Sequence, residues 1–423
     1  MKVLHLTAGT GLYHCGSCIR DNALVAGLQA IHQDASLVPL YLNLVVDGDD
    51  CSANQPLFLG GINTYLQQHV PLFRYTPHWL HRSLDSGPAL RLAASAVSMT
   101  NPSTLGEMTL SLMRGLNGHQ AHEIQRLCDW IRTVEQPDVV VMSNGLLAGL
   151  GASIREECKV KVIGTLQSEL HFIEGLEESY RDSVWTLMAD ALRQLDGIVA
   201  VSEYCQQEVS RRSGLDIEDI TVIRSGLDLE SFSPRETSDQ SPMVVGYLAR
   251  LAEEKGALVA LEAFELLRER PGLETLQLHM GGSVAPGNQP IVKTLKTAAS
   301  RQEGIRIHTN MTQSEKAAFL NTVSVLCVPG RHHEVAALYA LEAMASGVPI
   351  VAAQNGGAEE WVKATGGGVT YPAGDMRAML DAVESLLKDP ARRAEMGSTA
   401  QSIVKQEFSS KAMAQRWVDY LTA

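Results

Sequence analysis

The chain has 423 residues, of which 45% are hydrophobic and 20% charged, and its 35 Lys and Arg against 48 Asp and Glu give a formal net charge of -13. Such a length fits two domains of about 100–200 residues each, with an ordinary share of apolar residues for a core in both. The acidic balance argues against a nucleic-acid binder, which usually shows a basic excess or stripe. It does not exclude a small phosphorylated ligand, which needs only a few local cations.

The chain opens MKVLHLTAGTG. One basic residue, a short apolar run and then glycines lack the longer apolar region and the cleavage site of a secretory leader. No segment approaches the run of about 18 apolar residues that a membrane-spanning helix needs. The expectation is a cytoplasmic protein whose seven cysteines are reduced thiols. Peripheral membrane contact stays open because some acceptors are lipids. The sequence says nothing of the oligomeric state.

Val3 to Leu6 reads as a strand ending in Thr7-Ala8-Gly9-Thr10-Gly11. A helix is predicted over Asp21 to Ile31 and a strand over Ser36 to Tyr41. Strand, glycine-rich turn, helix and strand make the βαβ pattern of a parallel sheet. The first loop is not a Gly-x-Gly-x-x-Gly match, since His14 stands at the third glycine position, so a dinucleotide fingerprint is absent. Cys15-Gly16-Ser17-Cys18 follows. Such a pair suits a redox dithiol or half of a metal site, and a glycine loop entering a helix lowers a thiol pKa. Without a second Cys-x-x-Cys, the stretch His14 to Asn22 reads as an active-site loop with a structural thiol pair, and Arg20, Asp21 and Asn22 as polar residues opening the helix that are also acceptor-side candidates. Residues 50–120, rich in Pro, His, Gly and Ser, read as an insertion over the first domain.

Further strands are predicted at Asp138 to Met142, Lys161 to Thr165 and Gly197 to Val201, short runs without alternation that suit burial on both faces. Gln167, Glu169 and His171 follow the second of these and are acceptor-side candidates by position. Ser231 to Pro242 is polar, carries two prolines, and reads as a linker, with the domain boundary at 236–242. A new βα series follows, with strands at Met243 to Leu248, Thr275 to Met280, Ile305 to His308, Ser324 to Val328 and Pro349 to Ala352.

Three features of this second half belong together. Arg250-Leu251-Ala252-Glu253-Glu254-Lys255-Gly256 lies directly after a strand, where open α/β sheets bind ligands. A planar guanidinium and a compact ammonium there suit a diphosphate. Glu334 and Glu342 bracket seven residues, and the segment Val335 to Ala345 is predicted to be helical with Gly347 as its C-terminal cap. On that helix the carboxylates stand about 12 Å apart along the axis, too far to share a metal and suited to two ends of one extended ligand. The helix N-terminus adds N–H groups for a phosphate. The third feature, Gly356-Gly357 after a strand, lets backbone approach closely.

The segments GYLARLAEEKG, EVAALYALEAMASGVPIVAA and GGAEE resemble the donor domain of retaining GT-B glycosyltransferases, specifically glycosyltransferase family 4. VAVSEYCQQEV and VIRSGLDLESFSP resemble the approach to the family's interdomain linker. The resemblance implies an α/β fold with two Rossmann-like domains whose parallel sheets face across a cleft. Residues 1–236 would be the acceptor-side domain, residues 243–405 the donor domain, and the C-terminal helix 408–423 would pack back on the first. Arg250 and Lys255 would take the donor diphosphate, Glu334 the sugar hydroxyls and Glu342 the ribose. The backbone at Ala336, Ala337 and Leu338 would face sugar and phosphate, with Gly11, Gly356 and Gly357 also lining the donor. Where the family usually has Phe-Gly, this chain has Ala336-Ala337; where many relatives carry a His, it has Gln167.

The function so implied is transfer of a hexosyl unit, with retention, from a nucleoside-diphosphate sugar to a glycan, lipid or small-molecule acceptor. No Asp-x-Asp signature stands at a strand end, so no metal is expected, and no cofactor beyond the donor itself. The alternatives are a GT-B-fold nucleotide-sugar epimerase or phosphorylase, or a non-catalytic sugar-binding relative. A lysine signature for pyridoxal phosphate is missing, and the intact charged set argues against a non-catalytic protein.

Overall fold

The computed structural model describes all residues except 10, 12–13, 47–48, 54, 61–67, 69–104, 233–241, 331–333 and 355. Most of the expected insertion and of the expected linker therefore lies outside the described residues, as do Thr10 and Asn355. The chain divides into two compact units, residues 1–224 with 413–423, and residues 225–412.

In the first unit six strands form one parallel sheet: β1 (Lys2–Thr7), β2 (Asp34–Pro39), β3 (Val139–Met142), β4 (Lys161–Leu166), β5 (Gly197–Ala200) and β6 (Ile220–Val222). Their order is β2-β1-β3-β4-β5-β6. The strands are short runs of Val, Ile and Leu buried on both faces, as a helix-covered parallel sheet requires. The C-terminal helix Ser410–Thr422 meets this unit through its last residues: Lys161 Nζ donates to the Leu421 carbonyl at 3.1 Å, and the Arg20 guanidinium lies over the Trp417 ring.

The second unit repeats the architecture with β7 (Val244–Leu248), β8 (Gln277–Gly282), β9 (Ile305–Thr309), β10 (Val325–Cys327), β11 (Ile350–Ala353) and β12 (Gly368–Tyr371) in the order β12-β11-β10-β7-β8-β9, again all parallel. Tyr247, Leu278, Met280, Val325 and Phe264 centre its core.

Each sheet has one point where the strand order reverses, between β1 and β3 in the first and between β7 and β10 in the second. Loops at the carboxyl ends of such neighbours diverge to opposite faces and leave room for a ligand.

Two helix starts differ from the sequence reading. The first helix runs Gly16–Ala30, beginning five residues before the predicted Asp21, so that Arg20, Asp21 and Asn22 lie inside it and are buried. Polar residues turned into the interior erased the amphipathic pattern there. The helix predicted from Val335 begins only at Leu338, behind Ala337 in the left-handed region at φ 47°. Glu342 is therefore in the second turn, and Glu334 stands on a non-helical approach rather than at the helix start.

Candidate functional site

In the second unit the residues at the β7 and β10 ends converge. The loop after β7 is clamped from below by Tyr247, whose hydroxyl donates to the Arg250 carbonyl at 3.0 Å or the Lys255 carbonyl at 3.1 Å. Gly256 closes the loop at φ 74°, and a Cβ there would stand 1.9 Å from the Pro329 carbonyl oxygen at the end of β10. Only glycine lets the two strand-end loops meet so closely. The result brings Lys255 Nζ to 2.7 Å from Glu334 Oε1, across 79 residues of sequence. Arg250 reaches Glu254 Oε1 at 2.7 Å on the same loop.

The approach to the Leu338–Ala345 helix is fixed by its neighbours, which is why it does not wind. The Glu334 carbonyl accepts from Gly357 N at 2.6 Å, and the Ala336 carbonyl accepts from the Trp361 indole at 2.7 Å. A Cβ on Gly357 would lie 2.4 Å from the Val335 carbonyl oxygen, so the close approach of Gly356-Gly357 is to this segment. Both glycines are buried at the start of the Gly357–Thr365 helix. The first N–H groups of the Leu338 helix have no acceptor within their own helix.

Glu342 carries the partner that a carboxylate in an apolar helix requires. Lys316 Nζ, from the helix Gln313–Leu320 after β9, is 2.7 Å from Glu342 Oε1, and the two side chains are only 14% and 10% exposed. Lys255 and Glu334 are at 24% and 18% and Arg250 at 28%, so this charged row lies at the surface of its unit, where a ligand can exchange with the present partners.

The strand ends of the first unit look different. Asp21 is fully buried and gathers Thr7 Oγ1 at 2.9 Å, Ser143 Oγ at 2.5 Å, Arg20 Nη1 at 3.2 Å and Gln167 Nε2 at 3.3 Å. His5 Nε2 lies 3.2 Å from its Oδ1, outside hydrogen-bonding geometry. Burial pushes the Asp21 carboxyl up, but His5, Arg20 and Ser143 outweigh it and hold the group at about 2. Gln167 also donates to the Ser143 carbonyl at 2.6 Å, which joins the β3 and β4 ends.

Glu169 accepts from the backbone N–H groups of Gly145 at 2.5 Å, Gln167 at 2.8 Å and Ser168 at 3.0 Å. Burial raises its pKa against those bonds. Asn22 is tied to the 49–51 loop by bonds to the Asp49 carbonyl and the Cys51 N–H. His171 is exposed. Gly11, at φ 72°, donates to the Asn43 carbonyl at 2.9 Å.

Sequence reasoning thus named Arg250, Lys255, Glu334 and Glu342 but not Lys316, which pairs with Glu342, nor Tyr247 and Trp361, which hold the Arg250–Lys255 loop and the Ala336 carbonyl. The one available signal was Glu342 itself, an acid among apolar helix residues. Among the described residues no group of three or more His, Cys, Asp and Glu is placed to hold a metal ion, and no helix is long and apolar enough to cross a membrane.

Comparison with known proteins follows the same division. The family of glycosyl transferases group 1 matches residues 229–403, and glycosyltransferase family 4 matches residues 107–231. A D-inositol 3-phosphate glycosyltransferase of Xylanimonas cellulosilytica is 30% identical over 226 residues, which cover 49% of this chain and 52% of that relative. The match thus spans about half of that relative's length. A glycogen synthase of Mycobacterium tuberculosis is 27% identical over 292 residues, 66% of this chain and 67% of the relative. Among solved structures, Anabaena Alr3699/HepE in complex with UDP superimposes over 100% of both chains with a TM-score of 0.68 at 18% identity. Sucrose-phosphate synthase from Thermosynechococcus elongatus does so over 100% of this chain and 98% of that one, at 0.71 and 17%. These structural likenesses establish the fold, two parallel six-stranded sheets in the GT-B manner.

Proposed function

The chain belongs to the group 1, family 4 glycosyltransferases, and on that premise we propose that it moves a hexosyl unit, with retention of configuration, from a nucleoside-diphosphate sugar to a glycan, lipid or small-molecule acceptor. The observation that carries this reading is the meeting of Lys255 and Glu334 at the β7/β10 reversal, with Arg250 on the same loop and the Lys316–Glu342 pair on the flanking helices.

In this reading Arg250, Lys255 and the N–H groups at Leu338 receive the charge that develops on the departing diphosphate. Such donors lower the barrier because they are already oriented before the bond breaks. Glu334 holds the sugar hydroxyls once the diphosphate has drawn Lys255 away from it. Glu342 holds the ribose, and Lys316 keeps that carboxylate paired in an apolar helix. Retention proceeds by front-side attack of the acceptor, without a protein nucleophile. In the first unit, the Asp21 and Glu169 networks set the shape of the strand-end loops, and His171 is the exposed candidate for acceptor contact. The UDP named with HepE makes a uridine donor the first to try.

The test is calorimetry of nucleoside diphosphates, followed by product formation from a panel of nucleotide sugars. Saturable binding of one diphosphate, abolished by Lys255→Ala with the fold intact, is the expected result. Absence of binding by every nucleoside diphosphate at millimolar concentration would defeat the reading.

A further inference from the structure

Glycosyl transfer moves no electrons, so the Cys15-Gly16-Ser17-Cys18 pair has no part in the reaction just described. Its geometry is nevertheless specific. Cys15 is the residue that precedes the first helical turn, extended at φ -115° and ψ 130°, with no side chain capping the helix start. Cys18 sits one turn in, and the Ile19 N–H closes that turn on the Cys15 carbonyl at 3.0 Å. The two cysteines therefore stand one turn apart at a single helix start, each is the largest influence on the other's titration, and the Gly9 backbone of the first loop bears on Cys18. Their accessibility is unequal: Cys18 is 2% exposed, whereas Cys15 is partly open to solvent. No disulfide joins any of the seven cysteines.

We propose that Cys15 and Cys18 are a reversible thiol-modification site for low-molecular-weight disulfides of the glutathione type, with Cys15 as the attacking sulfur and Cys18 as the resolving one. The Cys15 thiolate attacks one sulfur of the small disulfide, forms a mixed disulfide and releases one thiolate. Cys18 gives up its proton, attacks the Cys15 sulfur and expels the second thiolate. Two thiols of the protein are oxidised, one small disulfide is reduced to two thiols, and the two Cys protons end on them.

The order of attack follows from exposure and from the helix. Only Cys15 can be reached from solvent. A thiolate at a helix N-terminus faces the positive end of the backbone dipoles. The Cys18 hydrogen bond, acting against burial, brings the Cys15 thiol down to about 6. The same partnership, with burial, pushes the Cys18 thiol up, so it stays protonated until the mixed disulfide forms.

The consequence reaches the first loop. Residues one helical turn apart hold their Cβ atoms about 5–6 Å apart, whereas a disulfide wants about 3.5–4.5 Å. The non-helical Cys15 is the end free to adjust. Closing the bond draws the sulfurs together to about 2 Å and changes the sulfur on which the Gly9 backbone bears. Gly9 has little slack: at φ 76° a Cβ on it would lie 1.6 Å from the Leu42 carbonyl oxygen.

The experiment uses the full chain and oxidised glutathione. Cys51 is the internal reference, partly exposed and pushed up to about 11 by burial and its acidic neighbours. At pH 7 thiolate populations favour Cys15, and the lower nucleophilicity of an acidic thiolate takes back part of that advantage, so Cys15 should be alkylated by iodoacetamide on the order of 30-fold faster than Cys51. Oxidised glutathione should yield a Cys15–Cys18 linked peptide by mass spectrometry. It should stop at the Cys15 mixed disulfide in Cys18→Ser and leave Cys18 unmodified in Cys15→Ser. Amide exchange at Gly9 and Gly11 should rise on oxidation and return with dithiothreitol. Equal alkylation of Cys15 and Cys51, or both thiols intact after oxidised glutathione in the wild-type chain, would overturn the site. Unchanged exchange at Gly9 would overturn its link to the loop. None of these readouts depends on a donor or on transfer.

Discussion

The two units share a parallel sheet, a reversal of strand order and a crowd of polar side chains at the carboxyl ends, yet they treat those side chains in opposite ways. In the first, Arg20, Asp21, Gln167 and Glu169 are 0–6% exposed and bonded to one another or to backbone. In the second, the Arg250, Lys255 and Glu334 side chains are 18–28% exposed and paired cation to anion, while the Lys316–Glu342 pair beside them is nearly buried. Buried polar groups bonded to one another lock loops in place. Ion pairs at a surface contribute little to stability, so a ligand can replace one member at small cost. Position at a strand end therefore does not by itself mark a candidate site; exposure and the kind of partner separate the two units.

The largest expected effect breaks the scaffold. Asp21→Asn leaves the buried Arg20 beside a neutral group in a dry interior, and removing one member of a buried ion pair costs about 3–5 kcal/mol. Hydrogen exchange of the β1 and β3 amides should report it, with β7 and β10 unaffected. The wild-type pH dependence has a definite sign. Asp21 is held at about 2 in the folded chain, below an unfolded value of about 3.9. Its stabilisation is complete above pH ~4 and is lost as the pH falls through ~2. Protection of β1 that is flat from pH 5 to 2, or equal in the Asn variant, would remove Asp21 from this role.

Next comes the site. Lys255→Ala and Arg250→Ala should each lower transfer by about 100-fold or more, the scale for loss of one preorganised charge donor. Both sit on a loop and are partly exposed, so thermal unfolding should scarcely shift. A variant that unfolds early while the surviving fraction turns over normally would place these cations with the scaffold and erase the contrast between the units.

A smaller effect separates the two acids. On the proposed ribose role, Glu342→Gln should weaken nucleoside-diphosphate binding by about tenfold, the loss of a charged hydrogen bond to a part of the donor that does not react. Glu334→Gln should act mainly on turnover, because in the proposed reading it faces the sugar, where charge changes in the transition state. Equal losses of affinity in both variants, by calorimetry, would show that the two carboxylates serve one subsite.

Much of this frame was legible before any coordinates. Ten of the strands lie where short Val, Ile and Leu runs put them, and the charged residues of the second unit stand in motifs with a fixed spacing. β6 (Ile220–Val222) and β12 (Gly368–Tyr371) escaped notice, being three and four residues long at sheet edges with mixed burial. Lys316 and Trp361 were not legible because topology, not spacing, brings them in, from the helices after β9 and β11, whereas Tyr247 lies inside the β7 motif and reads there as one more core residue. Arg20 and Asp21 were misread as helix-opening polar residues for the opposite reason: a polar residue in sequence carries no mark of being buried, and only the His5, Thr7 and Ser143 side chains, supplied by β1 and the end of β3, explain it.

The smallest effect concerns Ala337, the point where this chain departs from the Phe-Gly of its relatives. Its backbone is left-handed, φ 47° and ψ 50°, just ahead of the Leu338 helix. An L-residue there carries a strain of about 1–2 kcal/mol, which glycine relieves. Two terms oppose the gain. Glycine gives the unfolded chain more freedom, about 0.4–1 kcal/mol. It also removes a methyl group at a position only 4% exposed, worth up to about 0.8 kcal/mol. The three nearly cancel, so Ala337→Gly should change stability by less than about 1 kcal/mol in either direction, read from urea midpoints followed by the fluorescence of Trp361, whose indole holds the adjacent Ala336 carbonyl. Nucleotide affinity should hold as well, since the backbone conformation is already the one glycine favours. A destabilisation well beyond 1 kcal/mol would mean that Ala337 is unstrained in solution, and that the approach to the site is shaped by something other than this left-handed residue.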